Sequence, residues 1–261
     1  MGRHRSGPGG GSLMGLTAVV LQARLDSSRL PGKALLPLGG RPLIFRVMEA
    51  LRQVRADLRI LASPEDCAAS FGPLAEEAGF SFLAGPKEDV LGRYCLAIRR
   101  FGLDRVIRAT GDNPFVFTDA AEAINAEAAA LEADYAAYSG LPHGAGVESV
   151  AAAALLRAGE EADDLSDREH VCPYLYKHPA LFLLHRPLAP PRWRGPSLRV
   201  TVDTEEDYRR ASAVYQALGR YPALSGPGGE TRYQGSSIIA VQDIAVQDIA
   251  AQNAAIQEAA P

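Results

Sequence analysis

The chain has 261 residues, 47% of them hydrophobic and 22% charged, with a formal net charge of -4. That length suits one large α/β domain or two small ones. No apolar run reaches a membrane span, and the acidic balance gives no general attraction for nucleic acid.

Residues 1–12 are Gly-rich and basic, without the apolar stretch of a secretory signal, and Met14 is an alternative start. Residues 16–21 are a continuous apolar run, as expected of a central strand buried on both faces. The polar loop QARLDSSRLPGK follows at 22–33, then a return segment at 34–38 and a Gly39-Gly40 turn. Pro42 sits where a helix begins, and Ile44, Val47, Met48, Leu51 and Val54 repeat at helical spacing. A second strand is predicted at 58–62, a helix start at 63–66 with Pro64 near its first turn, a stop at Gly79 and a third strand at 80–83.

Val90, Leu91, Tyr94, Ala97, Ile98 and Phe101 form a second helical stripe, which ends at Gly102. A strand at 104–110 runs into Gly111-Asp112-Asn113-Pro114, Thr118 is placed to cap an Ala-rich helix, and 135–138 reads as another strand. This alternation predicts a mostly parallel sheet with helices on both faces. In such sheets ligands bind outside the carboxyl ends of the strands, where the 22–33 loop, Ala62-Ser63 and Gly111-Asp112 all fall.

Beyond residue 140 the alternation stops. Expected here are a flexible loop at 141–146, a short strand at 147–150, an Ala/Leu helix ending near Gly159, and a helix to Tyr176 with Ser166 as N-cap and Glu169 as its capping-box partner. Strands at 181–184 and 198–202 precede a helix with an acidic first turn at 205–207. This half is expected to complete the sheet and form a small acceptor and lid region. From Ala240 the sequence repeats every five residues, which matches neither helix nor strand faces and reads as a low-complexity tail.

Chemistry concentrates in a few places. Arg24, Arg29 and Lys33, with Ser27, Ser28 and the backbone near Gly32, supply the donors that phosphate oxygens need; the alternative is a solvated basic loop. Asp112 and Asp203 each follow an apolar strand and suit Mg²⁺, which binds one or two carboxylates plus substrate phosphates, or else they are helix N-caps. Arg168 and His170 are candidates to hold an acidic acceptor, unless that helix start only caps and packs. Glu148 binds acceptor hydroxyls, supports the metal or is an exposed strand residue. Cys67, Cys95 and Cys172 show no paired spacing and read as reduced thiols of a cytoplasmic protein.

The motifs at 22–33, 89–94 (DVLGRY), 108–114 (RATGDNP), 168–171 (REHV) and 201–207 (TVDTEED), in that order, resemble the cytidylyltransferases related to CMP-sugar-acid synthetases, in particular the spore-coat polysaccharide branch. The resemblance covers about residues 16–218 and implies a GT-A-like nucleotide-diphospho-sugar transferase fold, with CTP and Mg²⁺ as cosubstrates. It implies a nucleotidyltransferase domain at 15–222 between a disordered tail at 1–14 and a linker with the repeated tail at 223–261. Nucleotide contacts are implied along Leu21, Ala23, Arg24, Ser28, Arg29, Lys33, Ala62, Ser63, Arg93, Thr110 and Asp112. Of these, Arg24 and Lys33 would hold the triphosphate, while Asp112 and Asp203 would hold the metal.

Asn113 stands where that family usually has Cys, Cys172 where it has Thr, and Pro142-His143-Gly144 where it has Pro-Asp-Gly. The acceptor side therefore drifts more than the nucleotide side, and a phosphonate or another acid is an alternative to a sugar acid. Two rivals remain: a UTP- or GTP-using sugar-phosphate enzyme, whose first loop is usually richer in Gly, and a non-catalytic nucleotide-sensing or scaffold protein. Members of the resembled family are often dimers, although no stretch reads as a dimer face.

Overall fold

The computed structural model describes residues 15–220 and 238–239. The expectations for 1–14 and for the five-residue repeat from 240 onward fall outside the described residues. Strand β1 (Thr17–Gln22) is central. Its side chains alternate between two apolar layers: Val19 and Leu21 face one, Ala18 and Val20 the other. The continuous apolar run is thus the signature of a strand with helices on both sides.

A two-residue hairpin, β2 (Pro37–Leu38) and β3 (Arg41–Pro42), leads into α1 (Leu43–Leu51). Strand β4 (Leu58–Pro64), helix α2 (Ala68–Glu77) and strand β5 (Ser81–Gly85) follow. Pro64 ends its strand and caps a short 3₁₀ turn, Glu65–Cys67, so α2 begins later than the Pro alone suggests. Helix α3 (Val90–Phe101) is capped by Asp89, whose carboxylate accepts from the Gly92 amide, and it closes at left-handed Gly102 as expected. Strand β6 (Arg105–Thr110) and helix α4 (Thr118–Ala130) come next. Thr118 is the first helical residue there, and Phe117 holds the cap position.

The second half holds β7 (Tyr135–Ala136), β8 (Glu148–Ala151), α5 (Ala152–Glu161), α6 (Leu165–His170), α7 (Pro173–Lys177), β9 (Leu184–His185) and α8 (Glu205–Arg220). Several expectations are corrected here. Asp164 caps α6 by accepting from the Ser166 amide, so Ser166 is inside the helix. The single helix expected through Tyr176 breaks at Val171, which has φ 73° and is fully buried. Pro173 cannot continue α6 but suits the first turn of α7. Segment 198–202 is not a strand of the sheet: Arg199 forms an isolated bridge to His143, and the segment's amides and carbonyls pair with the 143 loop and Asp112.

The main sheet runs β5-β4-β1-β6-β8-β7-β9; β5, β4, β1 and β6 are parallel and β8 is antiparallel to both its neighbours. Helices α1, α2, α4 and α8 pack one face, and α3, α5 and α7 the other. Ile238, in the segment read as linker, is fully buried in the first of these layers. From β1 the chain builds outward through β4 to β5, then returns through α3 to place β6 on the other side of β1. Strand order reverses between β1 and β6, and a crevice opens beyond their carboxyl ends at such a reversal.

Candidate active site

The loop after β1 is shaped by a few local bonds. The Gly32 amide donates to Leu25 O at 3.3 Å, and Gly32 itself sits at φ 67°, a conformation glycine adopts without steric cost. It caps the 3₁₀ turn Lys33–Leu35 that aims Lys33 across the crevice. From β4, the buried Ser63 hydroxyl donates to Ala23 O at 2.7 Å and pins the start of the loop.

The acidic side comes from β6 and the segment before α8. A Cβ at Gly111 would lie 2.8 Å from Ala23 Cβ and 2.9 Å from Ile44 Cδ1, so only glycine lets the end of β6 approach β1 this closely. The Val202 amide donates to Asp112 O at 2.8 Å, which sets Asp112 beside Asp203. Lys33 Nζ donates to Asp112 Oδ2 at 2.9 Å, Asp203 Oδ1 at 2.9 Å and Val202 O at 2.8 Å. Arg29 lies 3.0 Å from Asp203 Oδ1, and Arg199 reaches Asp203 Oδ2 at 2.5 Å. Burial opposes ionisation of Asp203, but the Lys33 hydrogen bond and the Lys33, Arg29 and Arg199 charges outweigh it and hold its pKa below the ordinary value.

Neither aspartate is a helix cap. Asp207 Oδ2 accepts from the Thr204 amide while Thr204 Oγ1 accepts from the Asp207 amide, a reciprocal box that closes α8 without using the Asp203 carboxylate. Helix α4 begins six residues after Asp112, at Thr118.

Arg29, Lys33, Asp112 and Asp203 line a cavity of about 480 Å³, together with Ala23, Arg24, Ser27, Ser28, Arg93, Thr110 and His170. A second cavity of about 330 Å³ shares Arg108, Thr110, Asn113, His143 and Gly144 with the first. Tyr135, Tyr138, Glu148 and Arg186 complete its wall. Glu148 accepts from Arg108 Nη1 and, at 2.7 Å, from the Tyr135 hydroxyl. Burial alone would weaken the charge on Arg108, but the Glu148 carboxylate more than offsets it and raises the Arg108 pKa. Burial and the same carboxylate push the Tyr135 hydroxyl and the Cys172 thiol up, so both stay protonated.

Most predicted site residues converge. Ala23, Arg24, Ser28, Arg29, Lys33, Arg93, Thr110, Asp112, Asp203 and His170 line the larger cavity, and Glu148 the smaller. The side chains of Leu21 and Ala62 are fully buried in the core, and Ser63 acts on the loop from behind. Arg168 departs from expectation: it lines neither cavity and donates to Asp89 Oδ2 at 2.6 Å and to the Gly159 and Ala162 carbonyls, tying α6 to the start of α3. Its neighbour Glu169 lines the larger cavity and lies 3.6 Å from Arg24.

Sequence reasoning missed Arg108, Tyr135, Tyr138 and Arg186, and it set His143 aside as loop. An arginine inside the apolar strand RVIRAT is a signal for Arg108, since a buried charge needs a partner. Nothing local marks Arg186.

A family model described as Cytidylyltransferase matches residues 18–223. The Spore coat polysaccharide biosynthesis protein SpsF of Bacillus subtilis (strain 168) is 34% identical over 213 residues, 79% of this chain and 89% of that protein. A cytidylyltransferase structure from Leptospira borgpetersenii superposes with TM-score 0.75 at 20% identity, covering 90% of this chain and 95% of that one. A CMP:2-keto-3-deoxy-manno-octonic acid synthetase complexed with CTP superposes at 0.56 and 19% identity, covering 77% and 98%. At these identities the structural likeness speaks for the fold, which is the GT-A-like arrangement of nucleotidyltransferases.

Proposed function

The chain belongs to the cytidylyltransferase family of enzymes, and from that premise we propose that it transfers CMP from CTP to a sugar acid or a related small acid, releasing pyrophosphate with the help of Mg²⁺. The observation that carries this reading is the convergence of Lys33, Asp112 and Asp203 at the β1/β6 switch point, with Arg24 and Arg29 on the same wall. The relatives' names agree with it: one structural neighbour is a CMP-sugar-acid synthetase with CTP bound, and SpsF is named for polysaccharide biosynthesis.

The donor set fits a divalent ion. Among the described residues no group of three or more His, Cys, Asp or Glu gathers. Two carboxylates close enough to be spanned by one ammonium are what Mg²⁺ uses when substrate phosphates complete its shell. Held by Asp112 and Asp203, the ion would neutralise charge on the reacting phosphate.

The chain's own groups do the rest. Arg24, Arg29 and Lys33 take up the charge of the β- and γ-phosphates, and Ser27 and Ser28 offer hydroxyl donors. The acceptor occupies the smaller cavity, with Arg108 and Arg186 toward its acid group and the Glu148–Tyr135 pair toward its hydroxyls. An acceptor oxygen then forms a bond to the α-phosphorus as the bond to the pyrophosphate oxygen breaks. Catalysis of this kind rests on positioning and charge neutralisation. Among the described residues no helix is long and apolar enough to cross a membrane; the reading places the enzyme in the cytoplasm, with its nucleotide.

The test is pyrophosphate release from CTP, UTP, GTP and ATP against sugar acids, phosphonates and neutral sugars. Turnover with CTP and a sugar acid is expected. No turnover with CTP and any acidic acceptor would sink the reading.

A further inference from the structure

Lys33 does more than offer charge to a triphosphate. An ammonium has three N–H donors, and all three are used here, on Asp112 Oδ2, Asp203 Oδ1 and Val202 O at 2.8–2.9 Å. Both carboxylates that suit a metal ion therefore close on the same nitrogen. Asp203 is committed further, with Arg29 on Oδ1 and Arg199 on Oδ2. A cation bound between Asp112 and Asp203 and an ammonium bound between them exclude each other. Three positive side chains around the pair also repel a divalent ion, and only a polyanion reverses that balance.

We propose that Lys33 is an internal counter-ion that makes metal entry depend on the nucleotide. The triphosphate draws the Lys33 ammonium off the two aspartates, and the carboxylates so released take the metal. This deepens the proposed function and rests on it. Linkage makes the effect reciprocal: nucleotide tightens metal by the same factor as metal tightens nucleotide, and couplings of this kind are typically about 5–150-fold. The geometry allows the exchange, because Lys33 sits in a short 3₁₀ turn whose side chain already lines the triphosphate cavity.

The experiment is an electron paramagnetic resonance titration of the full chain with Mn²⁺, with and without CTP and with no acceptor present, corrected for Mn²⁺ bound by CTP alone. The wild type should bind Mn²⁺ weakly by itself and at least about tenfold more tightly with CTP. Lys33→Met should bind Mn²⁺ without CTP at least about tenfold more tightly than the wild type. Arg29→Gln removes a cation from the same Asp203 oxygen but leaves the Lys33 bridge, and without CTP should gain less Mn²⁺ affinity than the Lys33 variants. If the Met variant does not fold, Lys33→Gln carries the same expectation. Equal Mn²⁺ affinity with and without CTP, or no gain in either Lys33 variant, overturns the proposal while leaving the transferase reading intact. A separate calorimetric titration with CTP alone keeps the two apart: failure of CTP to bind there overturns both.

Discussion

At the scale of single residues, some groups line the larger cavity and others hold that lining in place. The Asp112 carboxylate accepts from Lys33 and has no role in a helix cap. Asp112→Asn should lower metal-dependent kcat by about 10²–10³-fold, as loss of a transition-state charge contact does, while the circular dichroism spectrum stays native; retained turnover would remove Asp112 from the site. Glu148 shares a half-buried ion pair with Arg108. Glu148→Ala should destabilise the fold by about 3–5 kcal/mol in urea, because it strands the arginine. Glu148→Gln should mainly raise the KM for acceptor, with the KM for CTP unchanged.

Asp203 also sets a pH dependence. Its folded pKa lies below the ordinary 3.8. Its ionised contacts therefore stabilise the fold fully above that value, and the contribution is lost as pH falls through the lower, folded value. Asp207 is depressed likewise: burial opposes its charge, but Arg199 and local amides outweigh it. Urea midpoints should fall as pH drops below about 3.8, and Asp203→Asn should make that fall shallower without abolishing it. An identical acid limb in the variant would contradict the ion cluster.

At the scale of elements, the carboxyl ends of β1, β4 and β6 are legible in the sequence because each is a short apolar run broken by polar or Gly residues. Caps and breaks were less legible, since several residues compete for them. Thr204 and Asp207 close α8, which frees Asp203; capping alone could not decide this, because Asp203 and Thr204 are both good caps. Thr204→Ala should cost about 0.5–2 kcal/mol of stability by urea unfolding. Arg168 was misplaced for a related reason: α6 starts at Leu165 and turns Arg168 toward Asp89, and sequence spacing fixes a helix face only once its start is known. The short strands β7 and β8 fall on the segments expected at 135–138 and 147–150, and β9 overlaps only the end of the one expected at 181–184; what no local pattern carries is their pairing order in the sheet.

At the scale of the whole molecule, the β1/β6 reversal unites a basic loop and two aspartates that lie 79 and 170 residues from Lys33 in sequence. The meeting of the loop and Asp112 was legible because each follows an apolar strand and parallel strands end on the same side; Asp203 follows a segment outside the sheet and is brought in by the Val202 amide on Asp112 O. The smaller cavity was mostly hidden, since Tyr135, Tyr138 and Arg186 meet only through the sheet order β6-β8-β7-β9. Ile238 shows that the fold also draws on chain beyond 222. Ile238→Ala should cost about 2–5 kcal/mol, as truncation of a buried Ile does, whereas a free linker would be indifferent.

Whether CMP is transferred is decided by following the α-phosphorus of CTP. With CTP labelled at that atom, a sugar acid and Mg²⁺, the label should appear in a CMP-linked acid while unlabelled pyrophosphate is released in equal amount. Label retained in CTP with every acid offered, or recovered in CDP with release of orthophosphate, would contradict CMP transfer.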